Sequence, residues 1–251
     1  MLHHEIVGNG SQVLVLLHGF MESTKIWDFM EDYLSEAFKI VKIDLPGHGQ
    51  SPLYHSTNTM AFMAEEVKKC TDSLGISQFH LLGHSMGGYV SLAFAEKYPE
   101  SLKSLTLFFS TFLPDDEEKK EQRRKSFRII LENFKAYVNA GMPALFNPSE
   151  KVQLQDKIEI ATQIALNTSP EGALAAVKGM IERENTCAIL EQLEAKIILI
   201  AGQYDQAVKT EQTLKELPQR ASVKSYVLDC GHNGHWEKPQ ICAAILNEEL
   251  L

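Results

Sequence analysis

The sequence predicts an α/β fold, a mostly parallel sheet flanked by helices and interrupted by one all-helical insertion. Three observations predict it. Apolar runs recur at 12–17, 39–43, 79–82, 104–109, 196–201 and 222–228, each rich in Val, Ile, Leu or Phe. Continuous runs of this kind suit strands buried on both faces. Segments with helical spacing lie between most of them, at 24–37, 59–74, 87–97, 210–217 and 239–250, and strand–helix alternation calls for parallel strands joined by crossovers. The third observation is a break in that alternation. From Phe112 to about Asn185 no strand-like run occurs, whereas 117–140, 151–167 and 171–183 read as helices punctuated by Pro143, Pro148 and Pro170.

The remaining features fit one domain around this sheet, with a core at 1–111 and 186–251 and a helical lid at about 112–185. The turn Gly8-Asn9-Gly10 ahead of the first buried run predicts an antiparallel hairpin at the N-terminal edge. The mixed-charge stretch 115–125 reads as a solvated helix face. Met60, Phe62 and Met63 read as helix packing, and Phe108 and Phe109 as core.

Composition bounds the function. The chain has 251 residues, 44% hydrophobic and 23% charged, which is ordinary for a globular domain with a sizeable core. Its formal charge of -9 disfavours nucleic acid and anionic membrane surfaces as partners. The longest apolar run is too short to span a bilayer, and no basic, apolar leader is readable at the N-terminus. Cys70, Cys187, Cys230 and Cys242 lie far apart without a CxxC pair, which favours reduced thiols and a cytoplasmic protein.

The chemistry concentrates in Gly83-His84-Ser85-Met86-Gly87-Gly88, directly after one buried run and before an apolar helix. A strand, a sharp turn and a helix are the context that a G-x-S-x-G nucleophile elbow requires. Such a turn lifts the Ser85 hydroxyl to the sheet rim and sets the Met86 N–H at a helix N-terminus, where it can stabilise an oxyanion. A serine hydroxyl needs a base, and the base an orienting acid. Asp205 follows the run at 196–201 and His232 follows the run at 222–228, in the order Ser, Asp, His. In open α/β sheets, ligands bind at the strand C-termini. His18-Gly19-Phe20, after the first buried run, is where a second oxyanion donor, the Phe20 N–H, would sit. The stretch 44–51 reads as a structural turn.

Rival readings stand beside several of these residues. His235 competes with His232 for the role of base. Asp115 and Asp116 compete with Asp205, which follows Gly202-Gln203-Tyr204. The His232–His235 spacing makes a poor zinc site without a neighbouring carboxylate or cysteine set, so no metal is expected. His84 and Phe112 are the candidate pocket residues, His84 as part of the wall and Phe112 at the lid hinge. His18 and His48 read as structural, and nothing marks Cys230 as reactive.

These motifs resemble the α/β-hydrolase superfamily, in its branch of small lidded esterase-like enzymes. The resemblance covers 12–111 and 186–251. It implies catalytic Ser85, Asp205 and His232, oxyanion donors Phe20 and Met86, no metal or organic cofactor, and a small ester-like substrate. The serine at position 85 argues against the dehalogenases and epoxide hydrolases of this fold, which need an aspartate nucleophile. Two alternatives remain. The histidine loop, with His235, Glu237 and Pro239, resembles that of the menaquinone-pathway synthase, a carbon–oxygen lyase that would need pocket arginines such as Arg123, Arg124 or Arg128. A ligand receptor of the same fold is the alternative from another class.

Overall fold

A computed structural model describes residues 1–34 and 36–251. Seven strands form one sheet: β1 (His4–Val7), β2 (Gln12–Leu17), β3 (Phe38–Ile43), β4 (Phe79–His84), β5 (Leu102–Phe108), β6 (Lys196–Gly202) and β7 (Val223–Leu228). Their order is β1-β3-β2-β4-β5-β6-β7, with β1 antiparallel and the others parallel. The chain leaves β2 toward β3 on one side and returns to β4 on the other. The two strand ends at this reversal carry Phe20 and Ser85, and a crevice at such a point is where open α/β sheets bind ligands.

Two readings of local structure are corrected. β1 is an antiparallel edge, but it pairs with β3, His4 opposite Ile43, and not with β2 as a hairpin would. β2 is already paired on both edges, with β3 and β4. Among its described residues the segment 24–37 forms no α-helix, only short 3-10 turns at Thr24–Trp27 and Glu31–Tyr33. Its apolar residues Ile26, Trp27, Met30 and Leu34 are buried as the spacing implied. Long-range polar contacts set the backbone instead: Thr24 N–H donates to Asp44 Oδ1 at 2.7 Å, and Lys42 Nζ donates to Asp28 at 3.0 Å and Glu31 at 2.6 Å. Tertiary anchoring here overrides a weak helical preference. β7 departs from the expectation of burial on both faces: it is an edge strand whose residues are half-buried or exposed.

Nine helices occur among the described residues: α1 (Met60–Ser73), α2 (Met86–Lys97), α3 (Glu117–Gly141), α4 (Gln155–Leu166), α5 (Pro170–Ile181), α6 (Cys187–Gln192), α7 (Thr210–Lys215), α8 (Gly234–Glu237) and α9 (Pro239–Leu250). Side-chain caps start the main ones. Thr59 Oγ1 accepts from Phe62 N at 3.1 Å before α1, Asp116 Oδ1 from Lys119 N at 2.8 Å before α3, and Ser169 Oγ from Gly172 N at 3.0 Å before α5. Between β5 and β6 the described residues form helices joined by loops and no strand, as the sequence predicts. α3 is broken at Asn133, whose side chain accepts from Ala136 N at 3.0 Å and so caps the second half.

The start of α3 corrects the solvated-face reading of 115–125. Asp115 and Arg183 side chains are only 7% and 3% exposed, and the Asp115 carboxylate pairs with Arg123 at 2.6 Å and Arg183 at 2.8 Å. Glu117, Glu118, Glu121 and Arg124 face solvent, while Lys119 and Arg123 turn inward.

Candidate active site

The elbow after β4 is tight because two glycines allow backbone to meet backbone. A Cβ on Gly83 would lie 2.3 Å from the Gly87 carbonyl oxygen, and one on Gly87 would lie 2.5 Å from that of Leu17. Ser85 itself sits at φ +51°, a conformation that costs a non-glycine residue energy and must be held by its surroundings. Its N–H donates to Phe108 O at 3.0 Å and its carbonyl accepts from Ser110 Oγ at 2.7 Å.

Ser85, His232 and Asp205 come together from three loops. Ser85 Oγ lies 2.8 Å from His232 Nε2, and His232 Nδ1 lies 2.7 Å from Asp205 Oδ2. The other Asp205 oxygen accepts from Ala207 N at 2.7 Å and Val208 N at 2.9 Å. Burial pushes the Asp205 carboxyl up, but His232 and these N–H donors more than offset it and hold it below its usual range. An acceptor on Nδ1 fixes the tautomer that leaves Nε2 free to accept the serine proton. Asp115 and Asp116, the rival acids, are engaged elsewhere, with Arg123 and Arg183 and with Lys209.

Met86 opens α2, where first-turn N–H groups lack an intrahelical acceptor. Phe20 lies in the turn beyond β2 and borders the cavity at Ser85. Among the described residues, neither N–H donates to a backbone carbonyl in the surrounding loops. His18 is buried, accepting from Leu45 N at 2.9 Å and bonded through its other nitrogen to Gly19 O at 2.7 Å, so it braces that turn as a neutral ring. His48 is buried as well, and burial pulls it down to about 3.

The cavity above Ser85 has a volume of about 130 Å³. Its wall includes Phe20, Met142, Leu145 and Met180 as apolar residues, with Lys119 and Arg123 as cations. A larger cleft of about 720 Å³ shares Tyr89, Lys119, Ala207 and Val208 with it but does not reach Ser85. Lys119 donates to Ala207 O at 3.3 Å, and burial, then the neighbouring Arg123, hold its ammonium below the ordinary range. Arg123 directs one terminal nitrogen at the Met180 sulfur, 3.2 Å away, a weak acceptor. Arg124 and Arg128 pair with Glu121 and Glu132 on the outer face. His84 is among the residues that line this cavity. Phe112 is not: it is buried, its carbonyl accepts from Thr186 Oγ1 at 2.9 Å, and it is absent from the cavity lining among the described residues. The hinge it occupies points into the core.

Three supporting residues were missed from sequence. Glu22 bonds to His84 Nδ1 at 2.8 Å and to Gly19 N at 2.5 Å. Glu237 accepts from Gly231 N at 3.0 Å and Asn233 N at 3.3 Å, on both sides of His232, and from Asn147 N at 2.9 Å. The Leu145 carbonyl accepts from His232 N at 2.7 Å. Only Glu237 left a signal, as a carboxylate in the loop just past His232. The ligand atoms of Glu22, His84 and His235 lie within 4.8 Å of one another. Within this cluster Glu22 and His84 are hydrogen bonded directly, while His232 is bonded to Ser85 and Asp205.

Comparison with known proteins places this geometry in a family. A family model described as alpha/beta hydrolase fold matches residues 12–239. A thermophilic esterase from Thermogutta terrifontis, solved with malate bound, is 30% identical with a TM-score of 0.91, covering 99% of this chain and 92% of the other. A Bacillus subtilis (strain 168) protein assigned as a 2-succinyl-6-hydroxy-2,4-cyclohexadiene-1-carboxylate synthase is 28% identical over 96% of this chain and 91% of its own length. An Escherichia coli (strain K12) 2-hydroxy-6-oxononadienedioate/2-hydroxy-6-oxononatrienedioate hydrolase is 26% identical over 94% and 86%. The matched span contains the whole sheet from β2 onward, the elbow and the histidine loop, and the chain belongs to the alpha/beta hydrolase fold family.

Proposed function

We propose that this chain is a serine hydrolase that cleaves a small ester, thioester or lactone through an acyl-enzyme on Ser85. The observation that carries this reading is the unbroken relay Ser85 Oγ, His232, Asp205, with contacts of 2.8 and 2.7 Å, beside a cavity. Ser85 Oγ attacks the carbonyl carbon while His232 Nε2 takes its proton. The N–H groups of Phe20 and Met86 hold the resulting oxyanion. Asp205 stabilises the imidazolium, which then protonates the departing alcohol or thiol. Water repeats the sequence on the acyl group and frees the acid, with His232 again as base. Similarity to the Thermogutta esterase supports the reaction class. The helical insertion serves as the lid of a single domain, and Met142, Leu145 and Met180 supply its apolar ceiling.

The cavity also supports a substrate that bears a carboxylate. Lys119 and Arg123 line it, and Asp115 is one carboxylate shared between Arg123 and Arg183. The malate in the Thermogutta esterase and the dioate named for the E. coli hydrolase fit the same chemistry. These cations equally favour a second reading, a carbon–oxygen lyase like the Bacillus relative.

A panel of 4-nitrophenyl esters, neutral and carboxylate-bearing, separates the two. Steady ester turnover that disappears in Ser85→Ala supports the hydrolase. No ester cleavage, with proton-elimination activity on a polycarboxylate, supports the lyase. A single turnover that stops at a stable acyl-enzyme would point to a receptor.

A further inference from the structure

Glu22 and His84 lie behind the Ser85–His232 contact and take part in no step above. They are 62 positions apart in the chain and almost wholly buried, at 5% and 1% exposure. His84 Nδ1 is 2.8 Å from Glu22 Oε2, and His84 Nε2 is 3.1 Å from the main-chain carbonyl oxygen of His232. The same Glu22 oxygen takes the Gly19 N–H at 2.5 Å. One carboxylate oxygen and one imidazole therefore join the turn that carries Phe20 to the loop that carries His232.

Counting protons fixes the state of the pair. A backbone carbonyl only accepts, so Nε2 must carry a hydrogen. With a neutral ring, Nδ1 would then be bare and Glu22 would have to be protonated to meet it. A carboxyl oxygen donating that proton is a poor acceptor for Gly19. Ionised Glu22 with doubly protonated His84 satisfies all three contacts, and charge-assisted bonds are the stronger kind.

The surroundings agree. His84 faces the rings of His235 at 4.6 Å, His232 at 5.0 Å and Trp27 at 6.4 Å, and also Phe108 and Phe109. Asp205 and His18 are the other titratable groups near enough to act on it through space. Burial opposes the charge on both partners, but each outweighs it for the other, so the His84 imidazole is raised and the Glu22 carboxyl lowered. His235 is held neutral by burial and by the two histidines, and neither of its nitrogens has a hydrogen-bond partner among the described residues.

We propose that Glu22 and His84 form a fixed ion pair that sets the spacing between the oxyanion turn and the His232 loop, making both positioning residues. The kinetic half of this proposal rests on the hydrolase reading, whereas the charge state does not. In ¹⁵N-histidine-labelled wild-type protein at about pH 8, an ordinary histidine is neutral. One imidazole is expected to keep both ring protons there, its signal lost in His84→Gln and converted to the neutral form in Glu22→Gln. A wild-type spectrum in which every histidine is neutral overturns the pair without any variant. With 4-nitrophenyl acetate, Glu22→Gln is expected to lower kcat on the order of tenfold with KM within about twofold. Wild-type kcat in that variant overturns the positioning role. If the wild type cleaves no ester at all, the hydrolase reading falls, and the spectrum still decides the pair.

Discussion

The main-chain N–H of His232 donates to the carbonyl of Leu145 at 2.7 Å, so the loop that carries the base hangs from the helical insertion. Glu237 strengthens the junction by binding Gly231 and Asn233 on one side and Asn147 on the other. The insertion therefore helps to place the imidazole.

Gly231 is where this junction is closest. A Cβ there would lie 2.6 Å from the Leu145 oxygen and 2.7 Å from Asn147 N. Gly231→Ala is expected to push the two backbones apart and lower kcat on the order of 100-fold, since small misplacements of a base are costly. Steady-state kinetics on a neutral ester measures this, and an unchanged kcat would show that the insertion does not position His232.

Asp205→Asn should keep the bonds from Ala207 and Val208 but offer His232 Nδ1 an amide in place of a carboxylate. The imidazole then loses its tautomer preference and its counter-charge, and kcat is expected to fall on the order of 10³–10⁴-fold. Circular dichroism and thermal melting should show the fold retained. Near-normal turnover would assign the acid to another residue.

Asp115 permits a stability prediction with a definite sign. Burial raises its carboxyl, but Arg123 and Arg183 more than offset this, so the folded value lies below the ordinary 3.8. A depressed carboxyl contributes stability that is present above its unfolded value and lost as pH falls through the folded one. Asp115→Asn leaves Arg183 buried and unpaired and should cost about 2–4 kcal/mol near neutral pH. Urea unfolding across a pH series should show this gap narrowing below about pH 4; a gap that stays constant into strong acid would contradict the ion-pair account.

Lys119 tests the substrate class. Lys119→Met removes one of two cations from the cavity wall. The ratio of kcat/KM for a carboxylate-bearing ester over a neutral one is expected to fall on the order of tenfold, about 1.4 kcal/mol. An unchanged ratio would remove Lys119 from substrate recognition.

Much of the sheet was legible because buried parallel strands are continuous apolar runs, and Ser85 and Asp205 each follow such a run, whereas the strand ahead of His232 is a half-exposed edge. The helix caps Thr59, Asp116 and Ser169 obey local rules but were not singled out in the sequence. What escaped depends on partners distant in sequence. Nothing near Thr24 announces that Asp44 and Lys42 will hold 24–37 in short turns, and the place of β1 beside β3 depends on β2 being paired on both edges. Glu22 looks like a surface residue until His84 meets it across the sheet. The alternating charges of α3 likewise hide that Lys119 and Arg123 lie on its inner side.

Acylation of Ser85 is open to direct observation by intact-protein and peptide mass spectrometry after rapid quench of a slowly hydrolysed ester. A transient acyl mass is expected on the peptide containing Ser85, formed and lost at rates compatible with turnover and absent in Ser85→Ala. Undiminished ester cleavage by Ser85→Ala, or turnover with the acyl group on another residue, would contradict it.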